Sequence, residues 1–125
     1  GAGLPGLVLA IARPERGFVL VEPTGKKVAF ARDAAYGLGV DNARVLQARV
    51  ESLEGPRPTA ALSRATFAPI EWLRRGKELV GPEGLVLVCM GREVDAEVLK
   101  GAACVDRLLL PGSGAQRVNA LHGPL

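Results

Sequence analysis

Hydrophobic and polar positions change period repeatedly along this chain, and the changes mark out its elements. Leu4 to Ala12 is almost wholly apolar and predicts a short helix, with Pro5 suited to its first turn. Gly17 to Val21 (Gly-Phe-Val-Leu-Val) predicts a strand, and Glu22 falls at its C-terminal end. From Thr24 to Leu38, the residues Val28, Ala31, Ala35 and Leu38 recur at helical spacing, with Thr24 as N-cap and Gly39 as the stop. Ala43 to Val50 reads as a strand burying Val45, Leu46 and Ala48, with Gln47 and Arg49 near its end.

Gly55-Pro56-Arg57-Pro58 is a loop, and Thr59 to Ser63 is a short strand of small residues ending at Ser63-Arg64-Ala65. Pro69 to Val80 predicts a helix with Ile70, Leu73 and Leu79 inward and Arg74, Arg75 and Lys77 outward. After the Gly81-Pro82-Glu83-Gly84 turn, Leu85 to Met90 is continuously apolar, as expected of a strand buried on both faces. Glu93 to Ala103 reads as a helix, Cys104 to Leu110 as a strand, and Arg117 to Leu121 as a last, weaker strand. Strand and helix alternate without repeats or linker. The expectation is one α/β domain over 1–125, with helices on both faces of a mostly parallel sheet.

The opening run Gly1-Ala2-Gly3-Leu4-Pro5-Gly6 places glycines where a backbone must pass close to whatever lies over the turn. A helix start behind such a turn, with an acid-ended strand about twenty residues on, is the pattern that seats a ribose-bearing cofactor, Glu22 accepting the ribose hydroxyls. The competing reading is a tight turn that only packs a helix on a sheet.

Composition narrows the chemistry. The chain has 125 residues, 48% hydrophobic and only 4% aromatic, so its core must be aliphatic. A net charge of +3 permits a polyanionic partner without demanding one. His122 is the sole histidine, which argues against a histidine-based metal site or triad, and no metal site is expected. Cys89 and Cys104 follow no spacing motif and read as buried small hydrophobes in a reducing cytoplasm. The opening stretch lacks the basic region of a signal peptide, and no run approaches the ~20 apolar residues of a membrane span.

In open α/β sheets the ligand lies beyond the C-terminal strand ends, here Glu22, Arg49-Val50-Glu51, Ser63-Arg64 and Met90-Gly91. A nicotinamide enzyme needs a hydride-transfer partner there, and the only tyrosine, Tyr36, lies in a helix. Methyl transfer from S-adenosylmethionine (SAM) asks chiefly for positioning, and an acceptor ring nitrogen without a proton needs no general base.

These residues resemble the GidB (RsmG) family. The likeness runs from Gly1-Ala2-Gly3-Leu4-Pro5-Gly6-Leu7 through Ala10-Ile11-Ala12-Arg13-Pro14, Leu20-Val21-Glu22 and Gly25-Lys26-Lys27-Val28-Ala29-Phe30. It continues through Val45-Leu46-Gln47-Ala48-Arg49-Val50-Glu51 and Leu62-Ser63-Arg64-Ala65. The resemblance implies a Rossmann-like class I SAM-dependent methyltransferase sheet, ordered 3-2-1-4-5-7-6, that modifies N7 of a guanine in small-subunit ribosomal RNA. It implies that Gly1 and Gly3 lie beside the methionine part of SAM, Glu22 holds the ribose, and Val50 and Glu51 flank the adenine. Arg49 and Arg64 match arginines near the methyl-transfer pocket, where a guanidinium can grip a phosphate or orient the base. Against these stand a strand-end ion pair for Arg64, a structural role for Arg49, and solvated lysines at Lys26 and Lys27.

Three departures stand out. The family has a lysine where this chain has Met90, and it carries a helical segment before the glycine turn. It also has a central first strand there, which this chain lacks. The strands at 17–22 and 59–63 are therefore expected to keep unpaired edges unless a longer polypeptide or a second copy fills the gap. The alternative to an active enzyme is an inactive relative that keeps the fold and the SAM pocket as a binding module.

Overall fold

A computed structural model describes residues 3–124, and the chain divides into two compact units, Gly1–Gly55 and Pro56–Leu125. The first unit contains α1 (Gly6–Ala12), β1 (Phe18–Glu22), α2 (Gly25–Gly37), β2 (Ala43–Gln47) and a 3-10 turn, Val50–Ser52. Strands β1 and β2 pair in parallel, from Phe18 opposite Ala43 to Glu22 opposite Gln47. Val28 and Ala31 of α2 close over Val45, with Leu20 packed beside them. The helical spacing of Val28, Ala31 and Ala35 is thus a buried stripe, whereas Leu38 caps the helix and is exposed.

Close packing explains two of the opening glycines. Gly3 has φ +92°, and a Cβ there would lie 2.7 Å from Leu7 Cδ1. At Gly6 a Cβ would meet Leu20 Cγ at 2.8 Å, so the missing side chain lets α1 press directly on β1. Pro5 takes the N-cap position instead of the first turn. At the other end of α1, the Asn42 side-chain amide donates to the carbonyls of Ala10 (3.0 Å), Arg13 (3.2 Å) and Arg16 (2.9 Å). One side chain just before β2 thereby fixes the end of α1 and the turn into β1.

The second unit contains β3 (Ala60–Arg64), α3 (Pro69–Val80), β4 (Leu85–Met90), α4 (Ala96–Leu99), β5 (Cys104–Leu109) and β6 (Gln116–His122). Its sheet runs β3-β4-β6-β5, with β3 and β4 parallel and β6 antiparallel to both of its neighbours. The two sheets match the 3-2 and 4-5-7-6 portions of the expected order. The last strand, expected to be weak, is the longest and lies between β4 and β5.

The core of this unit joins Trp72, Leu73 and Val80 of α3 and Val98 of α4 to Val86, Val88, Met90, Val118 and Ala120 on one sheet face. Strand β4 is therefore buried on one face and half-buried on the other, because α3 and α4 cover a single side. At Gly76 a Cβ would lie 2.6 Å from Val86 Cγ1, so α3 sits very close to the sheet. Trp72 takes the inward place expected of Ile70, and its indole N–H donates to the Leu87 carbonyl at 2.9 Å. Arg75, expected outward, is half-buried: it pairs with Glu71 at 2.9 Å and lies 4.9 Å over the Phe67 ring. The helix expected over 93–103 shrinks to α4, which Asp95 starts by accepting the Glu97 N–H at 2.9 Å.

Both cysteines correct the expectation of burial. Cys89 is half-buried and Cys104 is exposed on β5, which no described helix covers. His122 is buried, its Nε2–H donating to the Val98 carbonyl at 2.7 Å.

Candidate functional site

The geometry of α1 determines where the glycine turn lies. Its last turn is tied through Asn42 to the N-terminal ends of β1 and β2, so its first turn reaches the opposite end, where Glu22 closes β1. Gly3 packs there against α2, with Ala31 3.7 Å from the position of a Cβ. Gly1 lies outside the described residues.

Glu22 is only 6% exposed, and its carboxylate accepts the Thr24 backbone N–H at 2.9 Å. Thr24 thus serves as a backbone donor and makes no side-chain cap for α2. The Glu22 carbonyl accepts the Ala48 N–H at 3.3 Å, which joins the tips of the two strands. Strand β2 stops at Gln47, short of the expected Val50, because the backbone then folds into a turn. The Arg49 carbonyl accepts the Ser52 N–H at 3.0 Å and the Ser52 hydroxyl at 2.9 Å. Val50, half-buried, and Glu51, exposed, lie in that turn. Gly3, Glu22, Arg49, Val50 and Glu51 therefore gather at one end of the first unit.

Arg64 belongs to the second unit, where it is exposed at the C-terminal end of β3 and in register with Cys89. Burial pushes the Cys89 thiol pKa up, and the Arg64 guanidinium pulls it the other way. Ala65, next in sequence, has φ +57°, a left-handed conformation that is uncommon for a side chain with Cβ and concentrates at functional turns. Sequence reading missed that feature, and it noted Gln47 only for its place near the end of a strand. The Gln47 side chain lies 3.4 Å from where a Gly25 Cβ would stand, bracing the Pro23–Gly25 corner behind Glu22. The one available signal was Gly25 itself, a poor helix former at a helix start. No group of His, Cys, Asp and Glu side chains among the described residues could hold a metal ion. No described helix is long and apolar enough to cross a membrane.

A family model described as rRNA small subunit methyltransferase G matches residues 1–109. The chain belongs to this GidB family. It is 40% identical to the Ribosomal RNA small subunit methyltransferase G of Myxococcus xanthus over 94% of this chain and 59% of that protein. With the protein of the same name from a Nocardioides species it shares 41% identity, over 78% of this chain and 40% of the relative. The chain thus spans about half the length of the curated relatives it matches. Among solved structures, the SAM-dependent methyltransferase SibL aligns at TM-score 0.68 with 20% identity, over all of this chain and 48% of that one. A SAM-dependent methyltransferase from Aquifex aeolicus aligns at 0.66 with 21% identity, over 97% and 77%. These two share the fold.

Met90 is among the largest fully buried side chains of the described residues. It is 2% exposed and sits in the core opposite Val118. Its side chain packs into the apolar layer formed with α3 and α4. Lys26 and Lys27 are exposed in the first turn of α2.

Proposed function

We propose that this chain is the cofactor-binding and catalytic part of a GidB-family enzyme that methylates N7 of a guanine in small-subunit ribosomal RNA, using SAM. The observation that supports it is the gathering of the Gly3 turn, Glu22 and the Val50–Ser52 turn at one end of β1 and β2. Glu22 fits the ribose, since a carboxylate oriented by a backbone N–H at a strand tip is a fixed acceptor for hydroxyl protons. Gly1 and Gly3 would adjoin the methionine portion, and Val50 and Glu51 would flank the adenine.

SAM supplies, when bound, a methyl group on a cationic sulfur, and its transfer to a ring lone pair leaves a neutral thioether and a cationic base. N7 of guanine carries no proton, so the protein's task is to orient the base and exclude water. Arg49 and Arg64 would do the orienting, through phosphates or the O6 edge. The buried His122 takes no part, being committed to Val98. We read the chain as one methyltransferase-like domain meeting its RNA in the cytoplasm, with a second copy pairing on the open edge of β1 or of β3.

Incorporation of labelled methyl from SAM into small ribosomal subunits or deproteinised RNA, with the label mapped to guanine N7, tests the reading. Label at N7 is expected. SAM binding without transfer would instead establish the binding-module alternative, and label on another atom would refute the acceptor.

A further inference from the structure

The sheet of the second unit carries two arginines on the face opposite α3 and α4, Arg64 exposed and Arg117 half-buried, and the proposed site uses only the first. Cross-strand register places Arg64 of β3 beside Cys89, Cys89 beside Asn119, and Asn119 beside Asp106, so these four share a face. That face is opposite to the one packed with Met90 and Val118. Arg117 stands two residues before Asn119 on β6 and so lies on the same face, level with the end of β4. From strand spacing and rise, the Arg64 and Arg117 Cα atoms lie about 12 Å apart.

Neither guanidinium has a carboxylate partner among the described residues, unlike two arginines of α3. Arg74 and Arg75 pair with Glu78 and Glu71 at 3.0 and 2.9 Å. Among the described residues, the Arg117 Nη1 donates to the carbonyl of Gln116, at 3.0 Å. The acid on this face, Asp106, lies diagonally across from Arg117 on β5 and forms no ion pair with it. Unpaired arginines along one face at a sheet's C-terminal end cost solvation only when an anion replaces water, and a phosphodiester is the anion whose repeat matches such spacing.

We propose that Arg117 is a phosphate-contacting residue that works with Arg64, the two gripping separate phosphates of one single-stranded RNA segment. This rests on the RNA-methyltransferase reading but extends it to a residue beyond the stretch matched by the family model, which ends at residue 109. Arg117 positions the strand and touches no reacting atom.

The test is the affinity of the chain for a fluorescein-labelled single-stranded RNA, measured by anisotropy across a salt series, with SAM titrated in parallel. Arg117→Ala is expected to lower the slope of log affinity against log salt by about 0.7, Arg64→Ala by the same amount, and the double variant by their sum. Arg117→Lys should restore the slope, because a phosphate contact needs the charge. Arg74→Ala, which removes an ion-paired arginine, should leave it unchanged. An unaltered slope in Arg117→Ala, or no binding of RNA by the unmodified chain, overturns the proposal. A loss of slope in a chain that ignores SAM would support the RNA contact and count against the methyltransferase reading, so the two failures are distinct.

Discussion

Cys89 and Met90 are neighbours in sequence, and the strand turns them to opposite faces of the sheet. Met90 fills the core, so Met90→Lys would bury an ammonium among Val118 and the side chains of α3 and α4. Denaturant unfolding is expected to show a loss of several kcal/mol, and a variant as stable as the parent would contradict the placement. Cys89 faces the other way, half-buried beside Arg64, with its thiol pKa raised mainly by burial. A raised pKa keeps the thiol protonated as pH climbs toward the ordinary thiol value, and only the thiolate reacts. With a disulfide reagent at about pH 8, exposed Cys104 should react first and Cys89 only as the solution becomes more alkaline. Equal rates would be inconsistent with that burial.

At the scale of elements, Asn42 connects three otherwise separate carbonyls at the base of α1. Removing its amide leaves those acceptors to water or to nothing. Asn42→Ala should therefore cost about 1–3 kcal/mol in thermal or chemical unfolding, and a cost near zero would show that α1 is held by apolar packing alone. Most elements were legible in the sequence because a buried stripe leaves a period: Val28, Ala31 and Ala35 in α2, or the apolar run of β4. The errors arose where local chemistry overrode pattern. The helix expected at 93–103 lost most of its length, keeping only the stretch that Asp95 caps. β2 ended early because Ser52 folds back on the Arg49 carbonyl. Glu22 was legible from its place after an apolar strand, yet the Thr24 N–H that orients it was not, since a backbone donor leaves no trace in residue identity.

For the molecule as a whole, the strand pattern gives two sheets, each with β1 or β3 lacking a partner on one side among the described residues. If a second copy meets those edges, sedimentation velocity should show a coefficient that rises with protein concentration, whereas a constant monomer value would exclude it. The central claim is that the first unit seats SAM through Glu22. Isothermal titration of SAM into the parent chain and into Glu22→Gln addresses it most directly. The account predicts saturable heat for the parent and an affinity at least about tenfold weaker for the variant, the worth of a hydrogen bond to a charged acceptor. Identical isotherms, or no heat from the parent, would contradict it.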